Sequence, residues 1–123
     1  MIELAEIFLT LKRELMAYHP PLQPKVDSDQ AYDLWSFKDL VIYGRKRKEV
    51  YFAGLTIHKD YVGFYYMPVY AEPEIKAFFK PELMKLLKGK SCFHIKKLDE
   101  ELLTQIREAL AQGYQQYQQH GWV

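Results

Sequence analysis

The stretch Val50–Tyr70, VYFAGLTIHKDYVGFYYMPVY, decides the fold. It is apolar, rich in aromatic and β-branched residues, and broken once, at His58–Asp60. Such residues favour a pleated surface, and the polar break reads as a tight reversal. The expectation is two long strands paired antiparallel at the centre of a sheet. Along the first, Tyr51, Ala53, Leu55 and Ile57 point one way and Phe52, Gly54, Thr56 and His58 the other. Along the second, Tyr61, Gly63, Tyr65, Met67 and Val69 alternate with Val62, Phe64, Tyr66 and Tyr70. Neither strand has a clean polar face. Either both faces are covered, or one is an aromatic surface that binds something. Gly54 and Gly63 mark a bulge, a close approach to the backbone, or room for a neighbouring ring.

Upstream, Ala31–Phe37 (AYDLWSF) reads as a first strand and Leu40–Tyr43 as a short second one. Gly44–Glu49 reads as a basic reversal carrying Arg45, Lys46, Arg47 and Lys48. That run is either a solvated turn or a phosphate-contacting hairpin tip. Ile2–Tyr18 has Leu4, Ile7, Phe8, Leu11 and Leu15 at three- and four-residue steps, the spacing of an amphipathic helix. His19–Pro24 (HPPLQP) stops it, as a stiff polyproline-like connector.

Downstream, Pro68 ends the strand pairing. Glu72–Leu87 reads as helical, with Ile75, Phe78, Phe79, Leu83, Leu86 and Leu87 as its apolar positions. Pro81 splits it and starts a second helix. Gly89 stops that helix. Ser91–Lys96 (SCFHIK) is a last strand, with Phe93 and Ile95 inward and Cys92, His94 and Lys96 outward. Asp99 caps a final helix running to about Gln119, with Leu103, Ile106, Leu110, Tyr114 and Tyr117 as its inward stripe. Trp122 tucks back onto the body. The fold class is therefore α+β: a mainly antiparallel four- to five-stranded sheet packed against N- and C-terminal helices.

The 123 residues fit one domain, residues 1–123. Lys+Arg is 17 against Asp+Glu 16, a net charge of +1. This balance argues against nucleic acid as a partner of the chain as a whole; only a local patch such as Arg45–Lys48 offers one. The single cysteine, Cys92, fits a reducing compartment, so a cytoplasmic location is expected. Met1–Tyr18 is too interrupted by charge for a signal peptide, and no run is long enough for a bilayer, so no membrane is expected.

For chemistry, Cys92 and His94 share a strand face, but a metal site needs three or four converging ligands. A Cys92 nucleophile would need an orienting group beyond His94. No phosphate loop or hydrolase motif is present, and the reading is non-enzymatic. The ten tyrosines, concentrated between Tyr32 and Tyr70, are the unusual feature. A ring with a polar tip suits a sheet surface or a binding cleft. Tyr51, His58, Tyr65, Tyr66 and His94 are the candidate ligand-binding residues. An uncovered apolar sheet face would also favour a homodimer.

Three segments carry a family resemblance: Tyr51-Phe52-Ala53-Gly54 followed by Tyr61–Pro68 (YVGFYYMP), Lys88–Ile95 (KGKSCFHI), and Leu98-Asp99 opening a helix with Ile106. Together they resemble the strand pair, last strand and closing helix of the small bacterial DUF1801, or YdhG-like, family of domains of unknown function. The resemblance implies a compact domain with helices on one antiparallel sheet. Some members of that family are described as frataxin-like iron chaperones. This implies iron held by surface carboxylates and delivered to an iron–sulfur or haem assembly partner. The loose acidic clusters here are Glu3, Glu6 and Glu14 on the first helix, taken as the candidate metal residues, and Asp27, Asp29 and Asp33.

Overall fold

A computed structural model describes residues 3–42, 44–71, 73–89 and 91–123. Ile2, Tyr43 and Glu72, the expected ends of three elements, and Lys90, within one of the family-like segments, lie outside the described residues.

The expected strand pair forms as β4 (Val50–Ile57) and β5 (Val62–Tyr66). It closes through Lys59–Asp60, with the His58 N–H donating to the Tyr61 carbonyl at 2.8 Å. With β1 (Ala31–Ser36), β6 (Leu87–Lys88) and β7 (Cys92–Ile95), the pair makes a five-stranded sheet in the order β1-β4-β5-β7-β6. Every neighbouring pair is antiparallel. β2 (Leu40–Ile42) and β3 (Arg45–Arg47) form a separate two-stranded arm between β1 and β4. Its reversal at Gly44 takes φ +79, a left-handed conformation that glycine adopts freely. Arg45–Arg47 is thus a strand, not the turn expected for the basic run.

Among the described residues there are four α-helices: α1 (Leu4–Met16), α2 (Met67–Ala71), α3 (Pro81–Met84) and α4 (Glu100–Gln119). Met67–Tyr70, expected as strand, is helical. The Glu72–Leu87 segment is a 3-10 turn over Pro73–Phe78, then α3 with Pro81 in its first turn, then the edge strand β6. Gly89, expected to stop a helix, sits between β6 and β7 at φ +76. The proline connector is a turn rather than a polyproline segment. Its His19–Pro20 and Pro20–Pro21 bonds are cis, and the Leu22 N–H returns to the Tyr18 carbonyl at 3.0 Å.

α1 lies across β4 and β5. It buries Ile7, Phe8, Leu11 and Leu15, as its spacing predicts. The strand face beneath it carries Leu34, Ala53, Leu55, Phe64, Phe93 and Ile95, all at 1% exposure or less. A bulge in β4 sets which residues take part. Leu34 pairs with Ala53 but Trp35 pairs with Tyr51, so Phe52 is the extra residue. The bulge turns Phe52 inward, fully buried against Tyr18, Tyr66, Tyr114 and Tyr117. Tyr51 is left on the far face. Simple alternation gives both residues the opposite direction, because it cannot register an inserted residue.

α4 packs on α1, α2 and α3. Its buried stripe is Leu102, Gln105, Ile106, Ala109, Leu110, Gly113 and Tyr117, one position away from the expected stripe at both Leu103 and Tyr114. Gln105 is buried but paired: its Oε1 accepts from the Leu83 N–H at 3.1 Å, and its Nε2 donates to Glu82 at 3.1 Å. Asp99 caps the helix as expected, accepting from the Leu102 N–H at 2.8 Å. Asp99→Ala should cost about 1 kcal/mol in a denaturant titration, the usual value of such a cap. Trp122 folds back onto Tyr117 and accepts a hydrogen bond from Ser36.

The free edge of β1 is covered by residues 23–28. Gln23 and Trp35 exchange backbone hydrogen bonds, and the Asp33 N–H donates to the Val26 carbonyl. The opposite edge is the two-residue β6, too short to template another strand.

Candidate functional site

The sheet face opposite the helices carries Trp35 and Asp33 from β1, Tyr51, Gly54 and Thr56 from β4, Gly63 and Tyr65 from β5, and Cys92 and His94 from β7. Except for the two glycines, these residues are half-buried. One face is therefore helix-covered and the other is a partly open aromatic layer.

The two in-strand glycines explain how the rings lie. A Cβ placed on Gly54 would meet the Tyr51 hydroxyl at 2.1 Å. One on Gly63 would meet the Tyr65 ring edge at 3.1 Å and His58 Nε2 at 3.2 Å. Each glycine removes the side chain that would prop its tyrosine upright. Tyr51 thus reaches over Gly54 and Tyr65 over Gly63, and both are half-buried. Beside them a cleft of about 150 Å³ is lined by Asp33, Thr56 and both tyrosines, with Gly54 at its base.

At the hairpin end three rings form a stack. Tyr61 lies 4.5 Å from His58 and 3.9 Å from His94, centroid to centroid, with interplanar angles of 26° and 16°. His58 Nε2 is 2.9 Å from the Tyr65 hydroxyl. At the other end Lys25 Nζ sits 3.8 Å over the Trp35 ring and 2.5 Å from Glu49 Oε1. The Trp35 indole N–H is buried without an acceptor, and its ring meets Tyr51 at 69°.

Burial, with the Asp33 charge second, pushes the Tyr51 phenol well above its ordinary value of 10.0. Burial also raises Tyr65. Both stay neutral phenols at physiological pH. The Cys92 thiol is raised by burial, with its hydrogen bond to Tyr65 opposing. It is therefore a thiol rather than a nucleophilic thiolate.

Of the five residues expected at a ligand site, the structure brings Tyr51, His58, Tyr65 and His94 to this face. Tyr66 is a correction. It points at the helices with no exposed surface, and its hydroxyl donates to the Ala109 carbonyl. Trp35, Asp33 and Tyr61 belong to the face but were not among the expected residues. Two-residue spacing along AYDLWSF places Asp33 and Trp35 on one side, and Tyr61 closes the hairpin against His58.

The candidate metal residues do not converge. Glu14 makes a two-pronged ion pair with Arg107, at 2.8 and 3.0 Å. Glu3 and Glu6, both N-terminal to it, are exposed. Among the described residues no three His, Cys, Asp or Glu side chains come together to hold a metal ion. The Arg107 hydrogen bond holds the Glu14 carboxyl below 4.5 despite opposing desolvation. A lowered folded value means the stabilisation is complete at neutral pH and is lost as pH falls through that value. Thermal melts of wild type and Glu14→Gln should differ only slightly at pH 7, since Arg107 is largely exposed and water screens the pair. The difference should vanish in acid and shrink with salt.

Among the described helices none is long and apolar enough to cross a membrane. Compared with known proteins, the chain matches no family model, no curated protein and no solved structure.

Proposed function

We propose that this protein is a non-enzymatic binding module that takes a planar ligand on the open aromatic face of its sheet. The supporting observation is the pair Tyr51 and Tyr65, reaching over Gly54 and Gly63 beside an open cleft. Flat rings with neutral phenols suit stacking plus a hydrogen bond. The free Cys92 supports a reducing, cytoplasmic setting. Membership of the DUF1801 family, iron handling and an iron–sulfur or haem assembly partner rest on the resemblance alone.

The test is a titration of adenosine and of indole against isotope-labelled protein, read at the aromatic ring resonances. Saturable shifts are expected at Trp35, Tyr51 and Tyr65. Gly54→Ala, which must lift the Tyr51 ring, should weaken binding as much as Tyr65→Ala does. Shifts confined to rings outside the face, or none that saturate, would refute the reading.

A further inference from the structure

The arm meets the Trp35 end of the aromatic face: Lys25 Nζ, 3.8 Å over the Trp35 ring, is 2.5 Å from Oε1 of Glu49, the residue that follows Lys48. The last open-face pair of the β1–β4 ladder is Trp35 with Tyr51, and Arg47 lies three residues before Val50. On the arm Arg45, Lys46, Arg47 and Lys48 are all exposed. The ion pairs among the described residues involve Lys12, Lys25 and Arg107, and none of these four. A groove of about 360 Å³ runs along the arm, lined by Leu40 and Val41, by Lys46, Arg47 and Lys48, and by Asp39. Val41 is 68% exposed within it.

The two ends of this surface call for different chemistry. The arm offers unpaired cations beside an apolar strip. The sheet face offers flat neutral rings and the Asp33 carboxylate, whose Oδ1 already takes the Lys25 and Val26 N–H groups at 2.7 and 2.9 Å. Asp33 repels phosphate, so anionic groups belong on the arm and planar groups on the sheet. An acidic peptide would satisfy the arm and leave the rings unused. A duplex hides its base faces. Single-stranded nucleic acid carries evenly spaced phosphates together with unstacked bases. We propose that the arm and the open face form one continuous site for single-stranded nucleic acid, with phosphates on Arg45–Lys48 and bases on Tyr51 and Tyr65. This rests on the reading of the face as a binding surface. The near-neutral charge of the whole chain does not oppose it, because the four cations are local.

Fluorescence anisotropy with labelled oligo-uridylate and oligo-deoxythymidylate tests it across a salt series. Binding is expected at low salt. The slope of log K on log salt should lie at about −2 to −3, since four phosphate contacts contribute about −0.7 each on single strands. The fourfold variant R45A/K46A/R47A/K48A should lose at least about tenfold in affinity and most of that slope. R45K/R47K, which keeps the charge, should retain both. Tyr65→Ala should lose about tenfold with the slope unchanged, as expected for a lost stacking contact. Circular dichroism confirms that each variant is folded. No oligonucleotide binding while adenosine still shifts Tyr51 and Tyr65 would overturn this inference and leave the face reading standing. Failure of both ligands would overturn both. Equal binding by the fourfold variant, tighter binding of duplex than single strand, or stronger binding of polyglutamate would each overturn the continuous site.

Discussion

Gly113→Ala is expected to destabilise the protein by about 2–4 kcal/mol, although alanine is the better helix former by about 1 kcal/mol. α4 passes Tyr66 and Pro68 so closely at Gly113 that an added Cβ would meet the Tyr66 hydroxyl at 1.9 Å and both the Tyr66 ring carbon and Pro68 Cγ at 2.7 Å. Tyr66 cannot swing aside. It is fully buried between Phe52 and Phe64, and its hydroxyl is bonded to the Ala109 carbonyl. Moving it would also leave a buried hydroxyl without its acceptor, at about 1–3 kcal/mol. For a domain of this size the melting temperature should fall by roughly 10 °C. Tyr66→Phe removes the atom in closest conflict, so the double variant should recover part of the loss. Recovery should be incomplete, because the ring carbon and Pro68 remain. A Gly113→Ala protein as stable as wild type would mean that α4 stands farther from Tyr66 and Pro68.

The second large effect is Phe52→Ala, expected to cost about 3–5 kcal/mol. Phe52 has no exposed surface and touches four tyrosine rings. Against a total stability of about 5–15 kcal/mol, that loss leaves little margin. Tyr51→Ala is the informative partner, since it truncates a ring of similar size one residue away. Tyr51 is only half-buried, and its backbone carbonyl, which accepts from Tyr117 at 2.5 Å, survives the change. Its cost should be about half that of Phe52→Ala or less. Strict alternation predicts the reverse order, and denaturant midpoints of the two variants measure the difference.

This pair also shows where the sequence was readable. Short-range patterns carried through. The paired strands of Val50–Tyr70, the inward Phe93 and Ile95, the Asp99 cap and the apolar stripe of α1 each depend on residues within a few positions. Failures came where a partner decides. The β4 bulge is set by its register against β1, which no local pattern encodes. The α4 stripe was right at Ile106, Leu110 and Tyr117, but Leu103 and Tyr114 are only partly buried and the small residues were passed over. The closest contacts use Ala109 and Gly113, where small size lets the helix approach. β6 is two residues long and offers no alternation to detect. For the candidate site, four of the five expected residues share the open face. Tyr66 did not, because identity alone cannot separate a tyrosine with a buried acceptor from one lying across a glycine.

The central claim is that the open sheet face, and not the helical side, receives the ligand. The direct measurement is an aromatic carbon–proton spectrum of the folded protein recorded with increasing short oligo-uridylate. Shifts at Tyr51, Tyr65 and Trp35 that saturate together, with Phe52, Tyr66 and Phe93 unmoved, are the predicted result. Saturating shifts at the buried rings or along the outer surface of α4, with Tyr51 and Tyr65 unchanged, would contradict it.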